Sequence, residues 1–330
     1  MNLQQILEKW DEQKPFYEKF TEYIALTLKE ISQNQGILVR ILSRTKDEVS
    51  IAKNLFKKGV TSQNYFNMID KSGARVICRF KEDTLVIANC IRKEFEIMKE
   101  EDKSDILRLN EIGYKSLHFD IRLREENTPE EIFREIGHIS GEIQVRTLCE
   151  DVWAEVNHDL GYKPLTELSP ESARQIYCLG GIFEIADDCF SNINRNIIES
   201  SILDEYSALR ILESPFIKLV KKEYDRELSY LFLKILLPIL DINKPSEFKK
   251  IIQDFIDTNN EKIKGILIER EINVNYFPYL TQPELFLIFL LIEKYEFTLI
   301  KQWENQFPID DLEKLSIWWG HPLSDILDFE

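Results

Sequence analysis

Through residues 65–160 the hydrophobic period switches repeatedly between two and about 3.6, and beyond residue 200 it stays helical. Ala74-Arg-Val-Ile-Cys-Arg-Phe80 is rich in β-branched residues and reads as a strand. Leu117-His-Phe-Asp-Ile-Arg-Leu123 and Gly141-Glu-Ile-Gln-Val-Arg146 alternate apolar and polar residues, as half-buried strands do. Between and after them, residues 82–98, 148–160 and 171–199 carry apolar positions at helical spacing. Alternating elements of this kind predict a mixed sheet flanked by helices. Residues 201–330 are Leu-, Ile- and Phe-rich helices punctuated by Pro238, Pro245, Pro278, Pro283 and Pro308. The fold class expected is α+β, a mixed β-sheet with flanking helices followed by an all-α module.

Upstream, residues 3–31 are helical in pattern, and Pro15 is expected to separate two helices because its ring removes a hydrogen bond. Residues 38–58 turn basic, and Ser50 to Lys58 reads as a short helix. The division expected is residues 1–34 as N-terminal helices, 35–200 as the sheet domain, and 201–330 as the helical module.

The chain holds 58 acidic against 42 basic residues, a formal charge of −16. Nucleic-acid affinity across the whole surface is disfavoured, so cations for a phosphate-bearing ligand must be gathered locally. Cys78, Cys90, Cys149, Cys178 and Cys189 show no zinc spacing and read as buried thiols of a reducing compartment. Residues 2–13 lack the order of an export signal, and the longest apolar run, Leu285 to Ile292, is too short for a membrane span. A soluble, cytoplasmic protein without membrane contact is expected.

Five clusters could carry chemistry. Arg44-Thr-Lys46, with Ser50 and Lys53, gathers positive charge, although a basic helix face can be merely solvated. Asp70-Lys-Ser-Gly73-Ala-Arg75 places a carboxylate and a glycine before a strand, where an ordinary turn would look similar. Gly113-Tyr-Lys-Ser-Leu-His118 offers an aromatic face for a base, or plain packing. Alternation puts Glu142, Gln144 and Arg146 on one face of a strand and Ile143 and Val145 on the other, as a site floor or as a solvated surface. The helix Trp153-Ala-Glu-Val-Asn-His158, followed by Gly161-Tyr-Lys163, could bring His158 to the same place, or bury it as a structural histidine.

The order and spacing of these motifs, over about residues 35–165, resemble the synthetase domain of the RelA/SpoT alarmone enzymes. The resemblance implies a nucleotidyltransferase-like sheet and an ATP-dependent pyrophosphokinase. Such an enzyme moves the β,γ-diphosphate of ATP to the ribose 3′-hydroxyl of GDP or GTP, makes (p)ppGpp and releases AMP. By the resemblance Asp70 holds Mg²⁺, with Glu142 opposite as general base or second metal ligand. Arg44 and Arg75 sandwich the adenine, while Lys46, Ser50 and Lys53 complete the ATP site. Tyr114 stacks on the acceptor base, and Lys115, Ser116, His118, Gln144, Arg146 and His158 surround the acceptor nucleotide.

Several places depart from the pattern, among them Asn157 where Glu is frequent and Asp159 where Lys is frequent. The family commonly has Lys where this chain has Asn54, and a basic residue with Asn where this chain has Asn110-Glu-Ile112. With histidines at 118, 138, 158 and 321 there is no paired His…His-Asp arrangement, so the hydrolase domain of long relatives is expected to be absent, as are their C-terminal regulatory domains. Two alternatives stay open: a toxin-type member acting on the 3′ end of tRNA, and an inactive nucleotide sensor. The helical module is expected to modulate rather than catalyse, as a surface for a second copy, an antitoxin or another regulatory protein.

Overall fold

The computed structural model describes residues 2–102, 116–160, 169–200, 202–269 and 277–323. The chain divides into two compact units, Met1–Ser191 and Asn192–Glu330.

The first unit opens with α1 (Leu3–Gln35). Asn2 and Gln5 form a reciprocal cap, each side chain accepting the other's backbone N–H at 2.9 and 3.0 Å. Gly36, at φ 69°, ends the helix in a left-handed turn. Pro15 lies inside α1, so the expected break is absent. Ile6 and Trp10 before it, and Phe20, Ile24 and Leu28 after it, are all fully buried. Burial on both sides outweighs the one hydrogen bond that proline removes.

Five strands form one sheet in the order β1 (Val39–Thr45), β2 (Ser72–Cys78), β5 (Ser140–Thr147), β4 (Leu117–Leu123) and β3 (Phe95–Asp102). The β2–β5 pair is parallel and the other three pairs are antiparallel. The helices between them are α2 (Glu48–Lys58), α3 (Ser62–Phe66), α4 (Lys81–Glu94) and α5 (Glu130–Ile136). After β5 come α6 (Leu148–Leu160) and α7 (Pro170–Ile198).

One sheet face is apolar. Ala74, Val76, Cys78, Phe119, Ile121, Ile143 and Val145 pack there against Phe20, Ile24 and Leu28 of α1 and Ile87, Ala88 and Ile91 of α4. The N-terminal segment 1–34 thus packs within the first unit. Gly141 admits the close approach of α1, since a Cβ there would lie 2.8 Å from Phe20 Cε1 and 2.9 Å from the Ser72 carbonyl oxygen. Thr21 Oγ1 meets Thr45 Oγ1 and Ser72 Oγ at 2.7 Å each, which ties α1 to the first two strands.

Several boundaries differ from expectation. Residues 82–98 are not one helix: α4 stops at Glu94, and Phe95 opens β3. Phe95 follows Ile91 at the next helical position and is buried, so the apolar period ran on through a change of backbone. The strand expected at 74–80 spans Ser72–Cys78, and the helix expected from Ser50 begins at Glu48, capped by Asp47. Strand β1 hid behind its basic residues. Cys178 and Cys189 are exposed rather than buried, because α7 turns them outward.

The second unit comprises α8 (Glu205–Val220), α9 (Arg226–Leu236), α10 (Pro245–Glu269), α11 (Leu285–Lys294), α12 (Glu296–Trp303) and α13 (Ile309–Trp319). Every residue from Leu285 to Ile292 is fully buried in its core. Among the described residues no helix is long and apolar enough to cross a membrane.

Candidate active site

Strand pairing aligns the polar sheet face in rows. In the first row Arg44 stands opposite Gly73, Gly73 opposite Glu142, Glu142 opposite Asp120, and Asp120 opposite Lys99. In the second, Leu42, Arg75, Gln144, His118 and Glu101 follow in the same order. Paired residues project to the same side of a sheet, so each row is a line of neighbouring side chains. Gly73 leaves the floor open between Arg44 and Glu142, and a Cβ there would stand 3.2 Å from the Glu142 carbonyl oxygen.

A continuous hydrogen-bonded network crosses this floor. Glu142 Oε1 lies 2.8 Å from His118 Nδ1, and Glu142 Oε2 accepts from Gln144 Nε2 at 2.8 Å. Gln144 Oε1 in turn accepts from the Arg146 guanidinium. Arg146 donates to Asp151 Oδ1 at 3.2 Å, and Arg75 donates to the same oxygen at 2.8 Å and to Glu155 at 3.3 Å. Asp151 and Glu155 stand one turn apart on α6, whose first turn is fixed by a cap. Thr147 N donates to Glu150 Oε2 at 2.8 Å, and Glu150 N donates to Thr147 Oγ1 at 3.1 Å.

The electrostatics follow from these contacts. Burial alone would push the Glu142 carboxyl up. The hydrogen bond and charge of His118, the Gln144 amide and the Lys46 ammonium outweigh burial and hold the group below the usual carboxylate range. Asp120 moves the opposite way, raised by burial and by Glu142 across the strand pair. Glu150, the half-buried partner of Thr147 in that cap, is pushed up to about 7 by burial.

Beside the rows, the chain leaves β1 at Lys46, whose backbone N–H donates to the Lys71 carbonyl at 2.9 Å. The Lys46 side chain is buried and its ammonium pairs with Asp70, whose carboxylate is more open. Lys71 is also buried, its ammonium 4.2 Å from the Tyr65 ring centroid and 5.5 Å from that of Tyr17. Burial lowers this lysine to about 8.

The structure therefore gathers Arg44, Lys46, Asp70, Arg75, His118, Glu142, Gln144 and Arg146 about one end and one face of the sheet. Ser50 is half-buried in the first turn of α2, where its backbone N–H is taken by Asp47 at 2.7 Å. Lys53 is exposed further along that helix. Ser116 is buried, and its hydroxyl donates to the Val145 carbonyl at 3.3 Å. Tyr114, Lys115 and Lys163 lie outside the described residues, as does the side chain of His158.

Sequence reasoning missed Asp120, Asp151 and Lys99. Period-two alternation from His118 already put Asp120 on the site face. Asp151 carried a signal as well, because Thr147-Leu-Cys-Glu150 is a capping box that dates the start of α6. Lys99 carried none, since the helix read over 82–98 covered the start of its strand, and it follows a register shift between Ile97 and Lys99.

Residues 43–167 match the family described as a region found in RelA / SpoT proteins. Over 173 residues, 49% of this chain, the sequence is 27% identical to GTP pyrophosphokinase YwaC of Bacillus subtilis (strain 168), covering 79% of that protein. Over 139 residues, 42% of this chain, it is 28% identical to GTP pyrophosphokinase YjbM of the same organism, covering 63% of it, under two thirds of its length. The crystal structure of small alarmone synthetase 1 from Bacillus subtilis aligns with 58% of this chain and all of its own, at TM-score 0.49 and 23% identity.

Proposed function

We propose, from the match of residues 43–167 to a region found in RelA / SpoT proteins, that this chain transfers the β,γ-diphosphate of ATP to the ribose 3′-hydroxyl of GDP or GTP, yielding (p)ppGpp and AMP. The relatives' name, GTP pyrophosphokinase, supports the reaction class. The observation that carries the reading is the row Arg44–Gly73–Glu142, an ionised carboxylate beside a side-chain-free floor flanked by cations.

Two polyanions must meet in this reaction, and each pair of unit charges about 4 Å apart repels by about 1 kcal/mol in water and more in a drier site. Arg44 and Arg75 offer planar guanidinium groups for the adenine, and Lys46 offers its ammonium to the phosphates. Arg146, His118 and Gln144 take the acceptor nucleotide. Glu142 accepts the hydrogen bond of the attacking hydroxyl and orients it towards the β-phosphorus. Its lowered proton affinity suits holding charge more than storing a proton.

Magnesium fits the donor set. Asp70, in the turn before β2, and Glu142, on β5, are hard oxygen donors, and Mg²⁺ takes one or two carboxylates together with phosphates and water. Among the described residues no group of three or more His, Cys, Asp or Glu side chains gathers to hold a metal without substrate. Bound with ATP, the ion would offset phosphate charge.

The test is γ-labelled ATP incubated with GDP, GTP or tRNA. Label on GDP or GTP with one AMP released per transfer is expected, and Asp70→Asn or Glu142→Gln should nearly abolish it. Label on tRNA alone would replace the acceptor, and no transfer to any of the three would remove the reading.

A further inference from the structure

We propose that Lys46 serves as an internal counter-cation on Asp70, so that a divalent ion reaches this carboxylate only when a nucleotide's phosphates draw the lysine away. The inference rests on the function proposed above and specifies the order in which its site fills.

Three observations carry it. The Lys46 side chain is 8% exposed and its ammonium is engaged by the Asp70 carboxylate, which is itself 44% exposed. A buried ammonium needs an anionic partner, and Asp70 supplies it. The same ammonium acts favourably on Glu142, so its charge stands near both of the carboxylates suited to a metal. The backbone of Lys46 is tied to the Lys71 carbonyl at 2.9 Å, so exchange of partners requires only a swing of the side chain.

A dication approaching Asp70 in the nucleotide-free protein therefore meets a positive charge already bound there. Lys71, buried beside Asp70 against Tyr65 and Tyr17, adds a second cationic group to the same corner. Phosphate oxygens reverse the balance. They offer Lys46 a new anionic partner, and Asp70 is left facing the metal that accompanies the phosphates. Charge is conserved in the exchange: one lysine–carboxylate pair becomes one lysine–phosphate pair and one carboxylate–metal pair.

The test is binding of Mn²⁺ to the nucleotide-free full chain, followed by loss of the free-ion electron paramagnetic resonance signal. Wild type should bind weakly at this site. Lys46→Met should bind at least tenfold tighter, and Lys46→Gln, an independent variant that keeps a polar group in the buried position, should move in the same direction. Adding Asp70→Asn to either should abolish the gain. If both folded Lys46 variants stay within twofold of wild type while Asp70→Asn weakens binding, the counter-cation idea is wrong and the metal site stands. If Asp70→Asn changes binding in no background, the ion does not use Asp70, and the proposed metal site falls together with the inference.

Discussion

Replacing Asp151 by Ala should weaken both the fold and the proposed ATP site. One carboxylate oxygen of Asp151 accepts from Arg75 at 2.8 Å and from Arg146 at 3.2 Å, so the two donor nitrogens lie within about 6 Å of each other. Without the carboxylate, two like charges at that spacing repel by about 3 kcal/mol at an effective dielectric constant near 20. Breaking a buried ion pair from one side costs about 3–5 kcal/mol. Two features reduce this here: Arg75 is 28% exposed and keeps Glu155, and Arg146, 5% exposed, keeps Gln144. We expect a loss of about 2 kcal/mol in urea unfolding. With that anchor lost, Arg75 should also leave the place proposed for it beside the adenine, raising KM for ATP about tenfold with a smaller change in kcat. Asp151→Asn, which retains an acceptor, should lose about half as much stability. The coupling between Asp151→Ala and Arg75→Ala should exceed about 1 kcal/mol in a double-mutant cycle. An Asp151→Ala protein within about 0.5 kcal/mol of wild type, and with unchanged KM for ATP, would refute the bridging role.

Three further outcomes are expected. Gly141→Ala should cost about 1–3 kcal/mol in urea unfolding, because its Cβ would stand 2.8 Å from Phe20 and 2.9 Å from backbone oxygen. His118→Ala removes the largest of the contacts that oppose burial at Glu142, leaving Gln144 and Lys46, so its carboxyl rises and the acid limb of the pH profile of the proposed transfer should move to higher pH. Glu284 is fully buried and burial pushes it up to about 8. The unfolded chain releases this proton first, so stability should fall as pH rises from about 4.5 to about 8, by up to about 5 kcal/mol. Glu284→Gln should flatten that slope in urea titrations across the range.

Much of the sheet was legible because alternation reports the backbone directly. Leu117 to Leu123 and Ser140 to Thr147 each bury one set of side chains, and period two is the pattern such burial leaves. The edge strands were illegible for a physical reason. Strand β1 pairs on one side alone, and Leu42, Ser43 and Arg44 are all exposed, which breaks the alternation. In β3 the register shift at Ile97 breaks it again, and the preceding helix lends Phe95 its own period. The motif residues were found by type and order. Their partners were not, because Asp151 reaches Arg75 across 76 positions of sequence, and no spacing rule connects them.

Under the proposed function, a chain with a formal charge of −16 must meet polyphosphates through local pairing rather than through net charge. Lys46 is opposed by Asp70, and Arg75 and Arg146 by Asp151, so these cations are largely neutralised internally before any ligand arrives. Phosphates therefore gain little from long-range attraction and must compete with internal carboxylates for the same cations. That competition favours ligands offering several phosphate oxygens at the spacing of these cations over ligands of equal charge and different shape. It also holds each cation in place by a defined partner beforehand, so less side-chain freedom is lost when the nucleotides bind.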